Sequence, residues 1–571
     1  MGTLSLEPVD AEIRAGRCCE FRVIGGGQPS GNPFDPDAIL LDAVFTDPAG
    51  KTARIPAFWK QGFVRALTDG RETLQPEGEP GWRVRYTPWQ AGSHHCEMLL
   101  GQDGATPSPA GDAKVEVLAA RAPARGYIRV EPEKKRFFQY ADGTPMPLLG
   151  SNLCWSGARG TYDYDDWLSA CADAGMNFTR LWMWPLSFGI EVLPGERLNY
   201  NQPQAWRLDH VMALAADKGV GVMLCLDFHG IFQDKKDMWG GNDNWPTHPY
   251  NQAQGGPCAT QNDFFTNAAA RKLYEKRLRY LVGRYGAYPS LLCWEFFNEI
   301  DNVYGKLRKH DVVRWHGYMA DSLHAMDPFR HPVTTSFGGV HEDRNMWALP
   351  ELDFTQFHLY CDGMRKGLGV YIAGTAQRFA ELYGKPMVFG EFGATYKNDG
   401  RALDPNDWCL RQGLWTGLLT GTAGTVMPWW WEGLQPNNRY RLWTSLSRFI
   451  QGTGFGGAAW HPAGAATSPA SEPDLGTDAF AMTDGKAALI YVVDRRYEYP
   501  HGGSTTAPQA CETTLTLKGL ADGTCEVTWW DPVDGATTAS GSGECHDGRL
   551  ELASPTFHVD TAARVLPAKK P

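Results

Sequence analysis

Two carboxylates carry the chemistry this chain is equipped to do. The first sits in CWEFFNEID, residues 293–301, where Glu295, Asn298 and Glu299 interrupt a run that is otherwise apolar or aromatic. A strand covered on both faces reads as continuous apolar residues, so acids inside such a run need a partner or a job. Leaving a buried carboxylate unpaired costs roughly several kcal/mol. The second is Glu391, inside the apolar run PMVFGEFG. Two carboxylates facing each other across a pocket suit glycoside cleavage. One protonates the departing oxygen, and the other attacks the anomeric carbon when the two groups lie about 5–5.5 Å apart. Their surroundings must then split their proton affinities, so that one is protonated and the other ionised near neutral pH.

The elements that must position them are eight apolar runs of strand length separated by helical patterns. The runs are PMPLLGSN, MNFTRLWMW, GVMLCLDFH, LLCWEFFNE, PVTTSFGG, FTQFHLY, PMVFGEFG and GTVMPWWW. Such alternation predicts βα units around a parallel sheet. DYDDWLSACADAG predicts a first helix, capped by Asp163 or Asp165 and ended by Gly175. WRLDHVMALAADKG and RKLYEKRLRYLVGRYG predict two more, stopped by Gly219 and Gly286. Eight repeats in roughly 320 residues fit an α/β fold of the (β/α)8 TIM-barrel type better than an open doubly wound sheet. No GxGxxG or GxxxxGK[ST] follows any run, which removes the main dinucleotide and P-loop readings. Residues 1–125 read as short alternating strands between turn signals and predict an N-terminal Ig-like β-sandwich. Residues 126–454 hold the catalytic barrel. Residues 455–571, opened by a stretch rich in Gly, Ala, Ser and Pro, predict a C-terminal β-sandwich.

A TIM barrel builds its active site at the C-terminal ends of its strands. At those positions the runs place Arg180, then Asp227-Phe228-His229, Asn298-Glu299, His358-Leu359-Tyr360, Glu391 and Trp429-Trp430-Trp431. A lone histidine at a strand end is usually a satisfied structural residue, and two glutamates could form an ion network with Arg180. Packing alone does not explain polar or aromatic groups at one rim on six of eight strands. Arg180 and Tyr360 would favour the ionised form of a neighbouring glutamate. Asn298 can donate to a sugar 2-hydroxyl, and Trp431 offers a flat face to a pyranose ring. A metal centre needs three or more ligands. His229, His358 and the glutamates lack compact ligand spacing, so neither a metal nor another cofactor is expected. Glu295, four residues before Glu299, is expected to point inward with it and to serve as the structural partner of Arg180.

The connection after the third run, GIFQDKKDMWGGNDNWPTHPYNQAQGGPCATQNDF, is long for a loop without structure of its own. Trp239 and Trp245 in it are expected to supply sugar subsites, beside Asp243, Asn244, His248 and Tyr250. Such a loop would wall off one side of the cleft and favour exo action or a short substrate. Trp182, Trp184 and residues 185–205 could add a second wall. The less specific reading is a loop that contacts a flanking domain. The 22 tryptophans of the 571 residues suit binding surfaces as well as a core. A net charge of −11 argues against nucleic acid or an anionic membrane as partner, and no apolar run reaches spanning length. MGTLSLEPVD lacks the basic and apolar regions of a secretory leader, which predicts a cytoplasmic chain or, with a leader already removed, a periplasmic or secreted one. The 13 cysteines include no CxxC pair, so zinc and thioredoxin-type readings are unsupported.

The motifs LDFHG, WEFFNE, FHLY, VFGEFG and WWWEG fall in this order on the expected strands. Together they resemble glycoside hydrolase clan A, most closely the cellulase-like family 5, over residues 128–450. The resemblance implies a retaining O-glycosyl hydrolase with Glu299 as acid/base and Glu391 as nucleophile. It also implies that Arg180, His229, Asn298, His358, Tyr360 and Trp431 position the substrate and the nucleophile. The family commonly has Pro after Asn-Glu, whereas Ile300 and Asp301 follow here, which changes the loop after the fourth strand. The expected partner is a carbohydrate, cleaved as a β-linked oligosaccharide or glycoside. A transglycosylase using the same residues and a non-catalytic carbohydrate-binding protein are the alternatives. Retention of both glutamates argues against the latter.

Overall fold

The computed structural model describes residues 3–25, 31–237, 242–365, 367–468, 475–500 and 507–568. Its centre is a ring of parallel strands: β1 (Gly150–Asn152), β2 (Phe178–Trp182), β3 (Gly221–Phe228), β4 (Leu291–Asn298), β5 (Val333–Thr334), β6 (Thr355–Tyr360), β7 (Met387–Gly393) and β8 (residues 424–428). β1 to β5 pair in sequence, and β6 pairs with β7. Parallel bridges Phe337–Phe357, Phe392–Pro428 and Leu148–Gly424 join the other neighbours and close the ring. Each strand is followed by a barrel helix: α1 (Thr161–Asp173), α2 (Gln202–Lys218), α3 (Ala268–Tyr285, preceded by the single turn Asp263–Thr266), α4 (Lys309–Met326), α5 (Arg344–Trp347), α6 (Leu368–Tyr383), α7 (Trp408–Leu419) and α8 (Arg441–Ile450). This is the expected TIM barrel.

The helix caps show what local sequence rules reach. Asn201 accepts from the Gln204 N–H to start α2, and Gly219, at φ 71°, ends it. Asn267 accepts from the N–H groups of Ala269 and Ala270 at the start of α3. The first helix departs from expectation, because neither Asp163 nor Asp165 caps it. Its N-cap is Gly160, and Glu72, from the N-terminal sheets, accepts from the Thr161 N–H at 3.0 Å and from the Thr161 hydroxyl. A Cβ on Gly160 would meet Glu72 at 2.2 Å. A cap supplied from 89 residues away leaves no local trace in the sequence.

Two four-stranded antiparallel sheets precede the barrel. One is ordered Ser5–Pro8, Cys19–Ile24, Arg71–Tyr86, Phe58–Thr68; the other is ordered Thr52–Pro56, Ile39–Thr46, Gly92–Gln102, Ser108–Val117. They share a core that includes Phe21, Phe45, Ile55, Val84 and Met98. The C-terminal strands differ from the two facing sheets of a sandwich. Nine of them, from His461–Pro462 to Asp560–Pro567, make one continuous antiparallel sheet. It curls until the Thr467 hydroxyl, on its last strand, donates to the Thr477 carbonyl near the opposite edge. All 13 cysteines are free thiols.

Buried ion clusters fasten both flanking regions to the barrel. Arg85, from the N-terminal sheets, donates to Asp209 of α2 at 2.6 Å and to Glu20 at 2.7 Å, while Arg284 of α3 donates to the other Asp209 oxygen at 2.7 Å. Arg411 of α7 and Tyr491 each donate to Asp560 of the C-terminal sheet at 2.8 Å. Burial alone would raise the Asp209 carboxyl, but Arg284, Arg85 and Lys60 hold it well below the usual carboxylate range. A depressed folded-state value means that this stabilisation is present above the unfolded value of about 3.9 and fades as pH falls below it. Asp209→Asn leaves two buried guanidinium groups short of a counter-ion and should cost about 3–5 kcal/mol. The check is a denaturant midpoint at neutral pH, and an unshifted midpoint contradicts the assignment.

Candidate active site

The site begins with an interruption of strand geometry in β4. Phe296 and Phe297 are consecutive, yet both pack on Trp315 of α4, with ring centroids 5.3 and 5.4 Å away. Alternation along the strand therefore breaks there, and Glu295 and Asn298 both reach the barrel interior. Glu299 follows at φ 51° and ψ 49°, a left-handed conformation that costs a non-glycine residue on the order of 1–3 kcal/mol. This turn, and not alternation from Glu295, delivers the Glu299 side chain to the cleft. The doubled aromatic in EFFNE is the sequence trace of that break.

Arg180 organises the interior. Its Nε and Nη2 donate to the two oxygens of Glu295, each at 2.7 Å. Nη1 donates to Glu391 Oε1 at 2.9 Å, and Nη2 donates also to Asn298 Oδ1 at 2.8 Å. Gln356 adds a bond to Glu295 at 3.0 Å. Arg180 and Glu295 are fully buried. Glu295 is thus the structural partner expected of it, one layer below the carboxylates that meet the cleft. Glu295→Gln should lower the melting temperature strongly, by about 3–5 kcal/mol of stability. A variant with unchanged melting that had lost all turnover would point instead to a direct chemical role.

Glu391 also accepts from the Tyr360 hydroxyl at 2.6 Å. His358 Nδ1 lies 2.7 Å from Glu299 Oε1 and 3.3 Å from Glu391 Oε2. His229 Nδ1 lies 3.8 Å from Glu299 Oε2, and the Asn302 amide donates to that same oxygen at 2.7 Å. Oxygens of Glu299 and Glu391 and a ring nitrogen of His358 all fall within 4.8 Å of one another. That closeness matches attack on carbon by one carboxylate and excludes the roughly 6.5–9.5 Å gap that makes room for a water in inversion. The same three groups could hold a metal ion, but Arg180 and Tyr360 already occupy both oxygens of Glu391.

Burial pushes both carboxyls above their ordinary range. In Glu391 the pull of Arg180 and the Tyr360 hydrogen bond oppose that rise. Burial lowers His358 to about 4, so its ring is neutral near pH 7. Two carboxylates this close resist carrying charge together, and each raises the other's proton affinity. The Arg180 guanidinium and the Tyr360 hydroxyl, both bonded to Glu391, favour its charged form.

The cavity above the pair has a volume of about 840 Å³, and Trp155, Trp182, Trp184, Trp429 and Trp430 are among its lining residues. His229, Asn298, His358 and Tyr360 line it with the two glutamates. Trp431 does not. It is 2% exposed and packs behind Trp155 and Trp429, because β8 ends at residue 428 and a short helical turn begins at Trp431. The platform falls to Trp429. Trp245 is likewise buried, against Phe232 and His248, and Tyr250 donates to buried Glu191 at 3.0 Å. The connection after β3 packs Trp245, His248 and Tyr250 inward and brings Asn242 to the cleft, so the aromatic wall expected from Trp245 does not form. Trp239 lies outside the described residues. Sequence reasoning missed Trp155, Tyr396 and Asn302, which come from connections after β1, β7 and β4, where no strand pattern points.

Residues 140–412 match the family described as Cellulase (glycosyl hydrolase family 5). The mannan endo-1,4-beta-mannosidase F of Aspergillus clavatus is 26% identical over 346 residues, 53% of this chain and 72% of that protein. The mannan endo-1,4-beta-mannosidase 1 of Oryza sativa subsp. japonica is 24% identical over 313 residues, 47% of this chain and 69% of that protein. Among solved structures, a glycoside hydrolase candidate from Bacteroides vulgatus ATCC 8482 aligns with a TM-score of 0.64. It is 15% identical, and the alignment covers 98% of this chain and 100% of that one. At such identity the likeness concerns the fold.

Proposed function

We infer that this chain, a member of glycosyl hydrolase family 5 through its barrel, is a retaining O-glycosyl hydrolase that cleaves β-1,4-linked mannan internally by double displacement. The observation that carries the reaction is the approach of the Glu299 and Glu391 oxygens to within 4.8 Å, with Arg180 and Tyr360 bonded to Glu391. Glu391 attacks the anomeric carbon while Glu299 gives its proton to the departing oxygen. Glu299, now ionised, then takes a proton from the water that releases the sugar from Glu391. Asn298 is held by Arg180 at the cleft, in reach of a sugar 2-hydroxyl.

Mannan is favoured by the relatives, which carry that activity in their names. Internal cleavage is favoured by the same relatives, whose names carry endo action. The expectation of exo action rested on the long connection after β3 as a wall of the cleft, and within it Trp245, His248 and Tyr250 are buried. The curled C-terminal sheet and the two N-terminal sheets serve as packing partners of the barrel in this reading. The strand order of the N-terminal sheets supports reading them as an Ig-like sandwich. No helix among the described residues is long and apolar enough to cross a membrane.

The test is digestion of mannan, glucomannan, xylan and cellulose, followed by viscosity and reducing ends together. Rapid loss of mannan viscosity with few new ends is the expected result. Release of single sugars without loss of viscosity would overturn the internal mode, and activity confined to xylan or cellulose would overturn the substrate.

A further inference from the structure

The turn after β4 is locked onto the carboxyl that departs from the strand. Residues Ile300–Val303 form a 3-10 turn, in which side chains three apart stand over one another. Asn302 therefore faces back to Glu299, and its amide donates to Oε2 at 2.7 Å while its N–H donates to the Glu299 carbonyl at 3.0 Å. The turn is itself pinned. The Ile300 N–H donates to the Ser336 carbonyl at 3.2 Å, the Glu299 N–H donates to the Ser336 hydroxyl at 3.0 Å, and Asp301 accepts from the Gly338 N–H at 2.8 Å. A Cβ at Gly338 would come within 3.1 Å of Asn302 Oδ1 and 3.2 Å of Glu299 Cδ, so glycine there leaves room for the pair. Asn302 lines the cleft with Gly338, Gly339 and Val340.

We propose that Asn302 is a positioning residue for the acid/base: its amide fixes the Glu299 carboxyl against the departing oxygen and steadies the ionised form in which Glu299 activates water. The inference rests on the retaining reading above. The other titratable groups facing Glu299 are His229 from the end of β3, Arg180 from β2, Glu295 from β4, His358 and Tyr360 from β6 and Glu391 from β7. Asp301 lies on the same turn, with His341 at 3.7 Å from it. An amide that donates to a carboxylate lowers its proton affinity, and at Glu299 the Asn302 bond acts in that direction, against burial.

The experiment is the pH dependence of kcat/KM for Asn302→Ala and Asn302→Asp on aryl glycosides with good and poor leaving groups. Asn302→Ala should move the alkaline limb up by roughly 0.5–1 pH unit. It should cut turnover about tenfold on poor leaving groups, which need the proton, and far less on activated ones. Asn302→Asp, with a like charge at the same atom, should move the limb further up. An alkaline limb unmoved in both variants, or equal losses across leaving groups, overturns the proposal. Full activity of Glu391→Ala would instead overturn the retaining reading beneath it, so the two failures are distinguishable.

Discussion

Glu391→Ala should abolish turnover, with a loss of about 10⁴–10⁶-fold on every β-glycoside, because it removes the carboxylate proposed to form the covalent intermediate. The remaining pocket still binds substrate, so KM should change far less than kcat. Azide should restore part of the rate by entering the space vacated by the carboxylate. It then attacks the anomeric carbon from the side Glu391 used, and the product is an α-glycosyl azide. Arg180 and Tyr360, which bond to Glu391 at 2.9 and 2.6 Å, remain to orient the anion. Undiminished hydrolysis, or an azide product of β configuration, refutes Glu391 as nucleophile.

Glu299→Ala should separate the two chemical steps. With a poor leaving group the first step lacks its proton, and turnover should fall by about 10²–10⁴-fold. With a highly activated aryl leaving group the first step survives, and glycosyl-enzyme accumulates because no base activates water. Azide then releases it as a β-glycosyl azide. The pH profile gives a second reading. Burial raises the Glu299 carboxyl, so the wild-type rate should hold near neutrality and fall as pH rises through that raised value, when the acid proton is lost. On the acid side the rate should fall as Glu391 gains a proton. In Glu299→Ala the alkaline limb should flatten while the acid limb persists. An alkaline limb that survives unchanged assigns the proton to another group.

These variants act on residues that were legible without coordinates. Acids inside apolar runs are costly, so Glu299 and Glu391 announced themselves by their setting. Arg180, Asn298, His229, His358 and Tyr360 followed once the runs were read as strands of one barrel, since strand ends share a rim. Periodicity also fixed the number of βα units and the stops of the second and third helices. What remained illegible shares one cause. Trp431 and Trp429 are two residues apart at the end of one run, and only the place where β8 gives way to a turn decides which ring faces the cleft. Trp245 has the composition of a sugar subsite and is buried because its connection folds back onto Phe232 and His248.

The sequence by itself determined the chemistry. It supplies two carboxylates, a guanidinium and a tyrosine on four strands of one barrel, each too polar for its apolar run unless it serves the others. Tertiary structure alone decided the cap of α1 by Glu72, the curl of the C-terminal strands into a single sheet, and the reach of Asn302 to Glu299. The physical reason is range. Strand and helix patterns record contacts a few residues apart, whereas those features depend on where a turn ends and on which distant side chain meets it there. Neither is encoded in local periodicity.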